Sequence, residues 1–261
     1  MAQETYQRFK KLIGKDTAGR LAVVREELEG TGLKPTVYEL DSPRGRDTHL
    51  VVPFNQGRDQ ELWLTANYDT FESLPSGNNN GSGVVTLLGL AQRLKDATLP
   101  VSVRMVYFDA GLDPALARTG RRDPNFVPGS ELFVQQYLEE KLDLIDTYAG
   151  AIAIQAVGKG SLQVFERSGK RLENSAKLNR WLRSYALSRK TDIPLVENSP
   201  HADHMSFLKE GLDATVLARY EEKSWHKMQT DKDDMTNVNV STVDETIDFL
   251  YGFLSTFAFK E

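Results

Sequence analysis

Short apolar runs of strand length alternate along this chain with amphipathic stretches of roughly ten to eighteen residues, and that alternation most constrains its fold. Leu21, Val24 and Leu28 lie on one face of a helix that opens near Asp16 and closes at Gly30 and Gly32. Strand-like runs follow at Thr36 to Leu40, His49 to Phe54 and Glu61 to Ala66, then a helix from Ser82 to Asp96 and a strand from Val101 to Phe108. The same rhythm continues with a helix over Glu131 to Leu142, strands at Gly150 to Val157 and Leu162 to Phe165, and a helix over Glu173 to Arg189. A strand at Asp213 to Ala218 and a helix over Thr242 to Phe257 close it. Strands interleaved with helices predict an α/β fold: a mixed, mostly parallel central sheet with helices on both faces.

No internal repeat, low-complexity tract or long linker divides the chain, so a single domain spanning residues 1–261 is expected. With 32 basic against 37 acidic side chains the net charge is -5. No overall positive field draws such a chain to nucleic acid or anionic lipid, and neither partner is expected. No apolar run approaches the roughly 18 residues that cross a bilayer, and Met1 to Lys15 has no signal-type apolar block. As written the chain is expected to be cytoplasmic, although a trimmed mature form of an exported protein reads the same way. Cysteine is absent, so any metal depends on His, Asp or Glu, and the only histidines are His49, His201, His204 and His226.

In sheets of this kind the binding crevice lies beyond the carboxyl ends of the strands. The residues there are polar: Asn67 and Asp69 after one strand, Asp109 after another, Gln155 at the end of a third, and Asn78-Asn79-Asn80 in a glycine-bracketed loop entering a helix. The loop Ser76 to Gly83 lacks the Lys of a phosphate-binding P-loop and the spacing of a nucleophile elbow, so by itself it reads as a tight turn capped by Asn or Ser. His201-Ala202-Asp203-His204 and the separate His226 offer three imidazoles, which either bind zinc or serve as hydrogen-bonded histidines. Asp231, Asp233 and Asp234 lack the pattern of a calcium loop and read as a solvated turn; Trp63, Trp181 and Trp225 read as core.

Taken in order, these segments resemble the M28 family of zinc aminopeptidases and their glutaminyl-cyclase relatives over nearly the whole chain. Leu64 to Thr70 resembles a strand ending in His-x-Asp, and Asn78 to Val84 an Asn-Asp-Asn-x-Ser-Gly loop. Val106 to Ala110 with Pro128 to Phe133 resembles the strand and helix start that flank a Glu-Glu pair. Ile154 to Gly158 resembles Asp-Met-Ile-Gly, Asp203 to Phe207 resembles Asp-His-x-x-Phe, and Trp225-His226 through Asp231 the closing His and downstream Asp. The resemblance implies a zinc-exopeptidase-like fold. In that family a pair of zinc ions is held by His, a bridging Asp, a Glu, a further Asp and a final His, with a neighbouring Glu as general base. At the aligned places this chain has Asn67, Asn79, Gly111 or Leu112, Gln155 and His226. Neither Gly nor Leu can activate water. Asp69 and Asp203 persist as residues that orient neighbours, with His204 beside them.

Carboxylates crowded around divalent ions repel one another once the ions are gone, so neutral amides are the replacements such a loss favours. The resulting expectation is a non-catalytic relative with no catalytic residues, no metal and no cofactor. Its former metal pocket, formed by Asn67, Asp69, Asn79, Gly111, Leu112, Gln155, Asp203, His204 and His226, takes a small polar ligand or peptide terminus or is purely structural. Two alternatives stand beside it. One is a zinc-dependent aminopeptidase or glutaminyl cyclase rebuilt from His201, Asp203, His204, His226 and Asp109 or Asp113. The other is an interaction subunit using Arg118 to Asp123 or Glu221 to Lys227. The Arg- and Pro-rich stretch from Asp109 to Gly129 is expected at the pocket rim or in an exposed loop.

Overall fold

The computed structural model describes residues 2–43, 45–71, 74–113, 115, 123, 126–140, 145–169, 172–257 and 259. Helices α1 (Ala2–Leu12) and α2 (Thr17–Gly30) precede strands β1 (Thr36–Ser42), β2 (Gly45–Phe54) and β3 (Glu61–Asn67). Then come α3 (Gly83–Leu94), β4 (Ser102–Phe108), α4 (Gly129–Glu140), β5 (Tyr148–Gln155), β6 (Ser161–Ser168), β7 (Leu172–Glu173) and α5 (Ala176–Ser188). The chain continues through β8 (Leu195–Asn198), α6 (His204–Lys209), β9 (Ala214–Tyr220), α7 (Glu222–Trp225) and α8 (Val240–Thr256).

The strands form one sheet in the order β1-β2-β4-β3-β5-β9-β6-β7, with β8 beside β6. Its centre, β4-β3-β5-β9, is parallel, and the flanking pairs β1-β2, β2-β4, β9-β6 and β6-β7 are antiparallel. The sheet is therefore mixed and mostly parallel at its centre, and the alternation along β3 shows how both faces are covered. Leu62, Leu64 and Ala66 join the cluster formed with α1, α2, α3, α5 and α8, while Trp63 joins Phe133, Val134 and Tyr137 of α4 and Phe207 of α6. Helix α3 is buried almost all round, from Gly83 through Ala91, as a helix with no polar stripe must be. Each fully buried Leu or Val there stabilises the fold by about 1.5–3 kcal/mol.

The elements expected from periodicity are present, with their ends shifted by a few residues. Helix α1 was not expected. Its Lys and Arg residues hide a buried stripe of Thr5, Arg8, Phe9 and Leu12, with the Arg8 guanidinium held by Glu27 and Gln92. Helix α2 is capped by Asp16, whose Oδ1 accepts from Gly19 N–H at 2.8 Å. Its buried face is Arg20, Val23, Val24 and Leu28, so the helix is turned toward Arg20, while Leu21 is only half-buried. Among the described residues no helix is long and apolar enough to cross a membrane.

Candidate functional site

Because β4, β3, β5 and β9 run parallel, their carboxyl ends open on one edge of the sheet, where a cleft of about 460 Å³ lies. Asn67 ends β3 and Gln155 ends β5, and both line the cleft together with Asn79, Gly111, Leu112, Asp203 and Gln229. The loop carrying Asn79, Gly77–Ser82, is entirely buried and kinked, with non-helical angles at Asn79 and Asn80 and a cis peptide between them. Its side chains supply the bonds that regular secondary structure would have supplied. Asn80 Oδ1 accepts from Gly83 N–H at 3.2 Å and Ala156 N–H at 3.1 Å, while its Nδ2 donates to Asn67 Oδ1 at 3.1 Å and the Ile154 carbonyl at 3.0 Å. Asn80 thus meets the first N–H of α3 and ties the carboxyl ends of β3 and β5 together.

The amides at the cleft orient one another. Asn67 donates from Nδ2 to Asp69 Oδ1 at 2.8 Å, and Gln155 donates from Nε2 to Asn79 Oδ1. Among the described residues, the Gln155 Oε1 acceptor and the Asn79 Nδ2 donor have no protein partner. Gly111 lies so close to Asn67 that a Cβ placed there would come within 3.0 to 3.1 Å of the Asn67 side chain. This loop position accepts a larger residue only if its neighbours shift.

Two buried carboxylates brace the floor. Asp69 accepts from Leu112 N–H at 2.8 Å as well as from Asn67, and burial raises its pKa against those bonds and the nearby Arg20. Asp233 accepts from the Asn78 and Asn79 N–H groups at 3.0 and 2.9 Å and from Asn237 Nδ2 at 2.7 Å. Asp233 is fully buried, which corrects the expectation of a solvated turn: it replaces the hydrogen bonds that the irregular Asn loop forgoes. Arg20, also fully buried, donates to the Pro75 and Ser76 carbonyls; burial lowers its pKa to about 10 while Asp69 and Asp233 oppose that shift. The spacing of Arg20, Val24 and Leu28 by four residues is the sequence signal that could have placed this cation on the buried face.

Three expected pocket residues do not line the cleft: Asp69, which lies beneath it, His204 and His226. His204 is buried behind the cleft, where its Nε2 meets the Ser168 hydroxyl, and burial lowers its pKa to about 3, so it is neutral. His226 caps the short helix α7 and is exposed; the residue this loop places on the cleft is Gln229, in a left-handed conformation with φ 58°. Sequence reasoning fixed on the histidine and passed over an amide of the same chemical type as Asn67, Asn79 and Gln155.

Asp69 sits behind Asn67, and Asp109 is occupied with the Thr48 and Ala110 N–H groups, burial raising its pKa to about 6. Asp113 reaches the cleft but spends its two oxygens on Ala115 and Asp123 N–H. Trp225, expected in the core, is half-buried at the rim, with its indole N–H on the Arg219 carbonyl. His201 is exposed at the rim, so His201, Asp203, His204 and His226 do not converge. Among the described residues no group of three or more His, Cys, Asp or Glu is placed to hold a metal ion. Phe126 and Pro128 border the cleft; of the stretch Arg118 to Asp123 only Asp123 is among the described residues.

No curated protein matches this sequence. Among solved structures, a Bacteroides thetaiotaomicron glutaminyl cyclase bound to N-acetylhistamine superposes with a TM-score of 0.81 at 15% identity, covering 99% of this chain and 98% of the other. The Legionella pneumophila aminopeptidase LapA gives 0.73 at 14% identity, with 99% of this chain and 73% of the other covered. A Zn-dependent exopeptidase from Parabacteroides distasonis gives 0.73 at 16%, covering 98% and 96%. At these identities the superpositions establish the fold, which is zinc-exopeptidase-like. The sequence profile of peptidase family M28 matches residues 49–254, and the chain belongs to that family.

Proposed function

We propose that this M28 relative is a binding protein, its cleft holding a small polar ligand or a peptide terminus without catalysing turnover. One observation carries the reading: four amides, Asn67, Asn79, Gln155 and Gln229, line the cleft at the carboxyl edge of the parallel strands, alongside the separate carboxyl groups of Asp113, Glu131 and Asp203. Zinc is held by imidazole, thiolate or carboxylate, and neutral amides are not among those donors. Asn67 has both ends of its amide committed to Asp69 and Asn80, and Asn79 and Gln155 bond each other. The donor set does not fit a zinc pair, and Gly111 and Leu112 bring no base. What the cleft offers, among the described residues, is a free donor on Asn79 and a free acceptor on Gln155, the complement of an amide or similar neutral polar group.

The test is elemental analysis of protein exposed to zinc and dialysed, together with an activity screen. No retained zinc and no turnover of aminoacyl amides or N-terminal glutaminyl peptides is the expected result. Two tightly held zinc equivalents, or chelator-sensitive turnover, would overturn it. Ligand binding is followed by amide NMR shifts with N-acetylleucinamide. Asn79→Leu and Gln155→Leu each remove a hydrogen-bonding partner and are expected to weaken binding about tenfold, near 1.4 kcal/mol.

A further inference from the structure

We propose that the cleft selects a ligand bearing an organic ammonium group, seated on Asp203. The inference rests on the binding reading above and names the chemistry that the site prefers. Asp203 lines the cleft at the start of α6, is only 4% exposed, and its Oδ2 has no hydrogen-bond partner among the described residues. The Ser130 hydroxyl, which meets Ser206 Oγ at 2.8 Å, is close enough to Asp203 to oppose the rise of its pKa. Rotation about the soft terminal torsion of an aspartate exchanges its two oxygens at the cleft wall. A buried carboxyl oxygen with no partner costs about 1–3 kcal/mol, and a ligand N–H that meets the carboxyl group at the cleft wall offsets part of that cost.

The charges facing Asp203 decide which ligand. From the loop after β3 comes Asp69, whose negative charge and the burial of Asp203 itself together raise the Asp203 pKa to about 7, burial being the larger cause. From α4 comes Glu131, already bound by Lys209 of α6; from the loop after β4 comes Asp113, already bound by backbone N–H groups. His201 stands at the rim on the same loop as Asp203, and Gln155 of β5 is neutral. The field is negative, so a carboxylate is repelled and a cation attracted.

A metal ion needs several oxygen ligands, and among the described residues Asp203 is the one cleft aspartate with an open oxygen. An ammonium group instead carries three N–H donors, which one carboxylate and neighbouring amide oxygens can satisfy. Leu112, Met205, Trp225 and Met228 supply an apolar wall for its carbon body. Both a peptide N-terminus and a simple alkylamine present this chemistry.

Calorimetric titration with isoamylamine, isoamyl alcohol, isovalerate, leucinamide and N-acetylleucinamide tests it. The two amines are expected to bind at least about tenfold more tightly than their uncharged counterparts and than isovalerate. An alkylammonium titrates like a lysine, near 10.4, so of the two groups that pair only Asp203 changes charge between pH 6 and pH 8, and the affinity for isoamylamine should rise about tenfold. Asp203→Asn should abolish both the preference and the pH dependence, with an unchanged circular dichroism spectrum showing that it folds; His201→Gln should keep both. Leucinamide binding more tightly than isoamylamine identifies a peptide N-terminus, and equal binding identifies a simple amine.

Equal affinity for charged and uncharged probes overturns the inference while leaving the amide-lined binding site standing. So does a preference that survives Asp203→Asn, or competition of isoamylamine by calcium. If no probe binds, the inference falls, and the zinc content alone decides the metal-free reading.

Discussion

The two ends of strands β3 and β4 solve the same problem, a polar group buried at a strand terminus, in opposite ways. At the amino-terminal end Glu61 receives Arg104 through two hydrogen bonds, Nε to Oε1 at 2.7 Å and Nη2 to Oε2 at 3.0 Å. The Trp63 indole donates to the same carboxylate at 2.8 Å, and Arg104 donates to the Tyr137 hydroxyl at 2.8 Å. The charges there are matched and enclosed. At the carboxyl-terminal end neutral amides face a cleft, an Asp203 oxygen lacks a partner among the described residues, and Ser76, Ala110, Ala156 and Gln229 hold left-handed backbone angles. One end is finished by the chain itself, whereas the other is left to be completed by something that binds.

The largest expected effect comes from opening the finished end. Arg104→Met leaves Glu61 buried without its counter-ion and should cost about 3–5 kcal/mol in urea unfolding. Adding Glu61→Leu should return most of that loss, because removing both charges removes the desolvation penalty as well. A double variant no more stable than the single one would mean that the ion pair itself contributes net stability, and the comparison would have to be redrawn.

The second effect concerns the open end. Restoring metal-type donors at the four cleft amides, Asn67→His, Asn79→Asp, Gln155→Asp and Gln229→His, should create zinc binding that a chelator reverses. Zinc at a hundredfold excess over its Kd would then stabilise the variant by about 2.7 kcal/mol in thermal unfolding. The same variant with Gln229 kept should bind far more weakly, because His226 points away to solvent. Equal zinc binding with Gln229 in place would refute the assignment of that loop.

Much of this was legible in the sequence, for reasons that differ from residue to residue. The parallel centre follows from strands such as Leu62 to Ala66 and Ala151 to Ile154, apolar at nearly every position because both faces are covered. Asn67 and Gln155 could be placed at the crevice because strand ends are fixed by that pattern, and Asn79 because its glycine-bracketed loop enters the helix that follows β3. Gln229 and Asp233 could not, because they lie in a loop whose path is set by backbone turns and by hydrogen bonds to Asn78 and Asn79, some 150 residues earlier in the chain. His204 was misplaced by one side-chain direction: Asp203 and His204 are neighbours in sequence, yet one lines the cleft while the other turns back to Ser168.

A smaller effect separates the two ends by pH. The folded-state pKa of Asp203 is raised to about 7, so the folded protein holds a proton that the unfolded chain has already released, and stability falls as pH rises from the ordinary aspartate value of 3.8 toward 7. Between pH 6 and pH 8 this one group should cost about 1.4 kcal/mol. Asp203→Asn should remove that part of the slope in urea midpoints, whereas Arg104→Met should leave it in place. A slope unchanged in Asp203→Asn would assign the titration to Asp69 or Asp109.

The smallest effect tests backbone strain directly. Ala156 follows β5 with φ 51°, where a Cβ crowds the following carbonyl and costs about 1–2 kcal/mol, while the amino-terminal end of the sheet uses Asn55 at φ 50°, a residue type suited to that angle. Ala156→Gly relieves the crowding but adds about 0.5–1 kcal/mol of unfolded-chain entropy, so a net gain of about 0.5 kcal/mol is expected. Ala153→Gly, three residues earlier in the strand interior, has no such relief and should lose about 1 kcal/mol or more. Opposite signs at two alanines of one segment would show that the cleft edge holds strain that the rest of β5 lacks. Losses of equal size would show that the Asn80 side chain, accepting from the Ala156 N–H, fixes this turn regardless of residue type.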